Sequence, residues 1–179
     1  MQVHFVLVVL LLATAAFAQE IDTTTESMSD VTKGLLVCLK STAKDAIDAT
    51  CQSTKDFLKR LSPNENLEEA FDKIDGRFRE LNASLNELFD EVMAERNACE
   101  RRAQESLRPT FCNSRARTSY SFGTAKHVAS FASDLIKTII NAKIKYNSEN
   151  VFRNIYVFVR ENVKQINSSL KAGVGCFFN

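Results

Sequence analysis

Between Leu67 and Val92 an apolar residue recurs at alternating steps of four and three: Leu67, Phe71, Ile74, Phe78, Leu81, Leu85, Leu88 and Val92. Because 3.6 residues complete a helical turn, this spacing sets all of them on one stripe of an α-helix. A strand would send neighbouring positions to opposite faces. Such a stripe has to be covered, either by the chain's own helices or by a second copy in an intermolecular coiled coil. The spacing alone leaves both open. Gly76 points farthest from the stripe, where glycine costs about 1 kcal/mol relative to alanine.

Few breakers interrupt the rest. Five glycines and two prolines in 179 residues favour long helices over many short strands and turns. Residues 31–61 read as a helix with Leu36, Leu39, Ala43, Ile47, Thr50, Phe57 and Leu61 on one face. Ser62-Pro63-Asn64-Glu65 has the form of a capping box with proline in the first turn. It predicts a long helix from Pro63 to about Leu107, stopped by Pro109. Residues 110–123 are mostly polar and read as a connection. A third helix is expected over 124–146, with Val128, Ala132, Leu135, Ile139 and Ala142 inside. A fourth, capped by Asn147-Ser148 and closed by Gly173, carries Val151, Ile155, Phe158, Val159, Val163, Ile166 and Leu170. The expected fold is all-α: an antiparallel bundle of about four helices, one long (about 63–107), stapled by disulfides.

The chain opens with an apolar run from Val3 to Leu12, then small residues and the small-x-small site Ala16-Phe17-Ala18. This predicts a signal peptide over 1–18, although the usual basic start is missing. The run is shorter than the ~20 residues a membrane span needs. Glu20 and Asp22 follow it, where an anchor would carry Lys or Arg. Residues 19–30 read as a flexible leader and 31–179 as a single helical domain. The expected protein is secreted, extracellular and without a transmembrane segment.

Five cysteines follow the leader: Cys38, Cys51, Cys99, Cys112 and Cys176. In an oxidising compartment most should pair. Cys38 and Cys51 on one helix would lie about 20 Å apart, far beyond the ~7 Å reach of a bridge. A hairpin turning near Asp75-Gly76 would set Cys38 beside Cys112 and Cys51 beside Cys99, but a turn there would cut the apolar stripe, and the sequence leaves the connectivity open among fifteen ways of drawing two bridges. Cys176 follows Gly173-Val174-Gly175, so it either clamps the tail to a helix or stays odd and joins two copies. Monomer and disulfide-linked dimer both follow from these choices. No Cys-x2-Cys or Cys/His grouping suggests zinc. Asn82-Ala83-Ser84 and Asn167-Ser168-Ser169 are N-glycosylation sequons, of consequence only in an exported chain.

The net charge of +1 hides a division. Gln19 to Ala98 holds ten basic and seventeen acidic residues, a balance of −7; Cys99 to Asn179 holds thirteen and five, a balance of +8. The halves could match each other within the bundle, or the basic one could face an anionic partner. Arg96, Arg101, Arg102, Arg108, Arg115 and Arg117 form the densest cluster. Without interleaved aromatics or a nucleic-acid motif, nucleic acid is not the expected partner.

The mature chain has one histidine, His127, with Ser130 and Asp134 along the same helical strip. A nucleophile, base and orienting acid have to converge in space, which one strip rarely achieves. No phosphate loop, metal-binding histidine pair or nucleophile elbow is present. No enzyme, cofactor or metal site is therefore expected. The leading expectation is a secreted binding protein acting on an extracellular protein or anionic glycan. A second is a carrier of a small apolar, lipid-like ligand, with Phe131, Phe152 and Phe158 lining its pocket. A third is a membrane-active protein led by Val151 to Val159 of the basic C-terminal half.

Overall fold

A computed structural model describes residues 30–102, 108–142, 144–146 and 150–178. The expected signal peptide, all of the leader but Asp30, and the Asn147-Ser148 cap lie outside the described residues. Four α-helices succeed one another: α1 Asp30–Leu61, α2 Glu68–Arg102, α3 Arg108–Ile140 and α4 Val151–Ala172. A 3-10 turn over Gly173–Phe178 continues from α4. Among the described residues there is no strand. Contacts divide the chain into residues 1–34 and 35–179. Of the first unit only the opening of α1 is described; the second holds the packed helices.

The helices alternate in direction. Lys40 pairs with Asp90 and Lys55 with Asp75, so α2 falls back by as many residues as α1 advances. Phe78 meets Phe131 edge-on, and further along α2, Leu88 lies against Gly123, nearer the start of α3. Cys38 is bonded to Cys176 while Phe57 stacks on Phe158, which sets α4 antiparallel to α1. The arrangement is an antiparallel four-helix bundle.

The α2 stripe is covered within this bundle. Ile74, Phe78, Leu81, Leu85, Leu88 and Val92 are buried, joined by Ala70, Phe89 and Met93. The helix begins at Glu68 rather than at Pro63, because the supposed capping box does a different job. Ser62 is buried, its amide still belongs to α1 (to the Leu58 carbonyl, 3.0 Å), and its hydroxyl donates to the Lys145 carbonyl at 3.0 Å. Asn66 supplies the cap instead, accepting from the Glu68 amide at 3.0 Å.

Three further expectations need correction. The polar stretch 110–123 is not a connection; it is the first half of α3. Its inward positions are Cys112, Ala116, Tyr120 and Thr124, which keep the four-residue step of a helix without a large aliphatic among them. Pro109 does not follow a helix end but sits in the first turn of α3, where the missing N–H has no partner to lose. At its other end α3 stops at Ile140 rather than 146. The Ile139 carbonyl is taken by the Ala142 amide (3.3 Å) and the Tyr146 hydroxyl (2.6 Å), which turns the chain.

The core is filled along its length. Toward one end Tyr120 packs against Phe89 and Phe177, and its hydroxyl donates to the Leu170 carbonyl at 2.6 Å. Burial pushes this phenol well above its ordinary pKa, so the hydroxyl stays protonated and able to donate. Gly173 lies so close that a Cβ there would strike the Tyr120 hydroxyl and crowd Leu39. Its role is close approach, since its backbone remains in the right-handed region. Gly123 similarly lets α3 settle on Leu88, whose side chain a Cβ would hit.

Cys38 and Cys176 are joined with their Cα atoms 6.0 Å apart, and Cys99 and Cys112 at 5.6 Å. Cys51 is the free thiol. The hairpin pairing fails because Asp75-Gly76 lies inside α2, with no turn there. Cys176 instead clamps the tail onto α1.

Candidate functional site

The six arginines of the basic cluster do not stay together. Arg96 is buried between α2 and α3: its guanidinium pairs with Glu100 at 2.8 Å, and its Nε donates to the Asn113 side chain at 2.6 Å. It belongs to the structure, because a buried guanidinium survives only when paired. Arg117 is half-buried on α3, whereas Arg101 and Arg102 end α2 exposed. Arg108 begins α3, and its side chain lies outside the described residues.

Arg102 and Arg115 do converge. With Phe111, Glu95, Ala98 and Cys99 they line a groove of about 400 Å³ between the end of α2 and the start of α3. The Cys99–Cys112 bridge fixes its two walls. Phe111 is 62% exposed, although it neighbours the buried Cys112. Glu95 is partly engaged, accepting from the Ser119 hydroxyl at 3.2 Å. The groove therefore offers two cations and an aromatic face, on rigid supports and open to solvent. Phe111 carries no signal in the sequence because its segment reads as a connection. Once 110–123 is helical, it falls on the outer face of α3.

Other exposed rings lie on the same basic half. Phe122 on α3 is 76% exposed, and Phe152 and Tyr156 on α4 are also solvent-facing. Among the basic residues of these helices, α3 carries Arg115, Lys126 and Lys137, and α4 carries Arg153, Arg160, Lys164 and Lys171. The acidic and basic halves do much of their pairing internally. Lys40–Asp90 and Lys55–Asp75 link α1 to α2, whereas Lys137–Asp134, Arg160–Glu161 and Lys164–Glu161 lie in the basic half. The Arg96–Glu100 pair straddles the boundary on a single helix.

Residues expected to serve other functions are dispersed through the fold. Phe131 packs edge-on to Phe78, Phe158 stacks on Phe57, and Phe152 points to solvent. Val151, Ile155 and Val159 are in the core. His127, Ser130 and Asp134 line a small groove of about 120 Å³ with Arg77 and Glu80, and Asp134 also pairs with Lys137. Both sequon asparagines, Asn82 on α2 and Asn167 on α4, are half-buried.

A polar cluster also joins α1 to α2. The Cys51 thiol donates to Asp75 Oδ1 at 3.2 Å, and Lys55 Nζ approaches the same carboxylate at 2.6 Å. Burial, reinforced by the adjacent Asp75, pushes the Cys51 thiol up to about 12. Burial alone would raise Asp75, but the hydrogen bonds from Lys55 and Cys51 outweigh it and hold the carboxyl below its ordinary range. Lys55 is raised in turn by its bond to Asp75. The thiol thus stays protonated at neutral pH and is a poor nucleophile.

Among the described residues, no helix is long and apolar enough to cross a membrane. No protein-family model matches the chain, and neither curated proteins nor solved structures yield a match.

Proposed function

We propose that this is an extracellular binding protein, not an enzyme, which engages an anionic partner through its basic half. The partner is an acidic segment of another protein or a sulfated glycan. The groove beside Cys99–Cys112 carries this reading: Arg102 and Arg115 line it together with the exposed Phe111 ring. Guanidinium groups suit carboxylate and sulfate because their planar N–H donors can engage two oxygens at once. An exposed ring adds apolar contact at little entropic cost, which is why aromatics and arginine dominate binding hot spots. The disulfide supports the reading by holding both walls before a partner arrives.

The carrier and membrane readings draw less support. Phe131 and Phe158 are occupied by other rings, and insertion led by Val151, Ile155 and Val159 would have to open the core.

The test is retention on immobilised heparin, in parallel with pull-down from extracellular fluid. The expected outcome is binding that weakens with salt, as for exposed charges, and that falls in the R102A/R115A double variant. Phe111→Ala should weaken binding while leaving its salt dependence in place. Lys44→Ala, at an exposed position of α1 away from this groove, should change nothing. Passage of the wild type through heparin, with no partner retained from the fluid, would overturn the proposal.

A further inference from the structure

The Asn82 sequon and the odd thiol share a groove. About 200 Å³ in volume, it runs between α1 and α2 and is lined by Lys44, Asp48 and Cys51 on one side and Asp75, Arg79 and Asn82 on the other, among others. Each set follows the spacing of one helical strip, and the strips face each other antiparallel. In the register set by Lys40–Asp90 and Lys55–Asp75, Asp48 stands level with Asn82. Cys51 lies three residues further along, about 4.5 Å down the bundle axis. Asn82, which lines this groove, is half-buried, and Ser84, which completes the sequon, is also half-buried.

We infer that Asn82 carries an N-linked glycan that roofs this groove and shields the Cys51 thiol from other molecules, keeping the secreted protein from cross-linking through its unpaired cysteine. The inference rests on export of the chain, as the proposed function does. In the attachment step the Asn82 side-chain nitrogen bonds to the anomeric carbon of an oligosaccharide carried on a lipid diphosphate. The bond from that carbon to the diphosphate oxygen breaks, lipid diphosphate leaves, and the amide gives up one proton. Cys51 is the cysteine concerned, since the other four are joined in two bridges; its bond to Asp75 slows the thiol without blocking it, and the glycan adds steric exclusion. Two such thiols brought together with an oxidant would form an intermolecular S–S bond, losing two protons and two electrons. A chain rooted at Asn82 is far larger than the groove beneath it, so its first sugars are enough to deny entry to a second protein.

The experiment uses the full chain made in a secretory eukaryotic host and collected from the medium. Site occupancy is read by mass spectrometry, thiol access by the rate of labelling with a bulky maleimide, and cross-linking by non-reducing electrophoresis. Asn82→Gln and Ser84→Ala remove the same sequon in different ways, so a folding defect in one does not hide the answer. Both should raise the labelling rate several-fold and produce a reducible dimer that disappears when Cys51→Ser is added. Asn167→Gln, on a helix that does not line this groove, should leave the labelling rate unchanged. Export with Asn82 unoccupied, or equal labelling with and without its glycan, overturns this inference and leaves the binding proposal standing. Retention in the cell with the first eighteen residues attached overturns both.

Discussion

At one end of the bundle two covalent bonds, Cys38–Cys176 and Cys99–Cys112, tie α1 to the tail and α2 to α3. At the other end Ser62 reaches the Lys145 carbonyl, Phe57 lies flat on Phe158 at 3.9 Å, and Lys55 holds Asp75. Both ends bring the same four helices together, but by different physics. The bridged end restricts the unfolded chain, while the other relies on contacts that exist only after folding. The groove with Arg102, Phe111 and Arg115 lies at the bridged end, where its walls cannot drift apart. Binding surfaces gain from such preorganisation.

This contrast can be broken in order of expected effect. Replacing Cys38 and Cys176 together by alanine opens a loop of 138 residues. Loop entropy predicts a loss of about 5 kcal/mol, measured by urea unfolding, and the freed tail should uncover Tyr120. Replacing Cys99 and Cys112 opens only 13 residues, and the loss should be about 3 kcal/mol. If the two losses prove equal, the entropic account of this end is wrong. The short bridge should nevertheless matter more for heparin retention, since it alone borders the groove.

At the unbridged end, Phe158→Ala removes a half-buried stacked ring and should cost roughly 2 kcal/mol. Hydrogen exchange should quicken at the ends of α1 and α4 around Ser62, while amides near Cys99 keep their protection. Uniform loss of protection would show that the two ends do not act separately.

The smallest effect concerns acid. Asp75 has its pKa lowered in the fold, so its contribution is present above the ordinary carboxylate value of about 4 and fades as pH falls through the folded value. Lys55 has its pKa raised, so its contribution is present below about 10.4 and fades as pH rises through its folded value. The pair is therefore most effective in the broad range between. Asp75→Asn should remove less than about 1 kcal/mol at neutral pH and flatten the acid limb of the stability profile. An unchanged acid limb would show that the pair contributes nothing to the difference between the ends.

Much of the architecture was legible because aliphatic side chains at helical spacing have few alternatives. α2 and α4 could be placed from their stripes, and the α2 stripe proved to be internal. The first half of α3 was illegible for the opposite reason. Its buried face is built of Cys112, Ala116, Tyr120 and Thr124, whose hydrophobic signal is weak. Thr124 can be buried only because its hydroxyl donates to the Tyr120 carbonyl at 2.8 Å. Ser62 misled in a similar way, since a hydroxyl suited to capping is equally suited to a distant carbonyl. Arg96 did leave a trace: it lies four residues after Val92 and three before Cys99, on the continuation of the buried stripe. Charge alone made it look like surface.

By itself the sequence determined that this chain forms helices, that they number about four, and that one cysteine would be left over. Those properties follow from local periodicity and from counting, which need no partner in space. Which cysteines meet, which arginine is buried, and which ring stands open beside Arg102 and Arg115 were decided only by the packed bundle. Azimuth and register accumulate over whole helices, so a shift of one residue at a turn turns a core position outward.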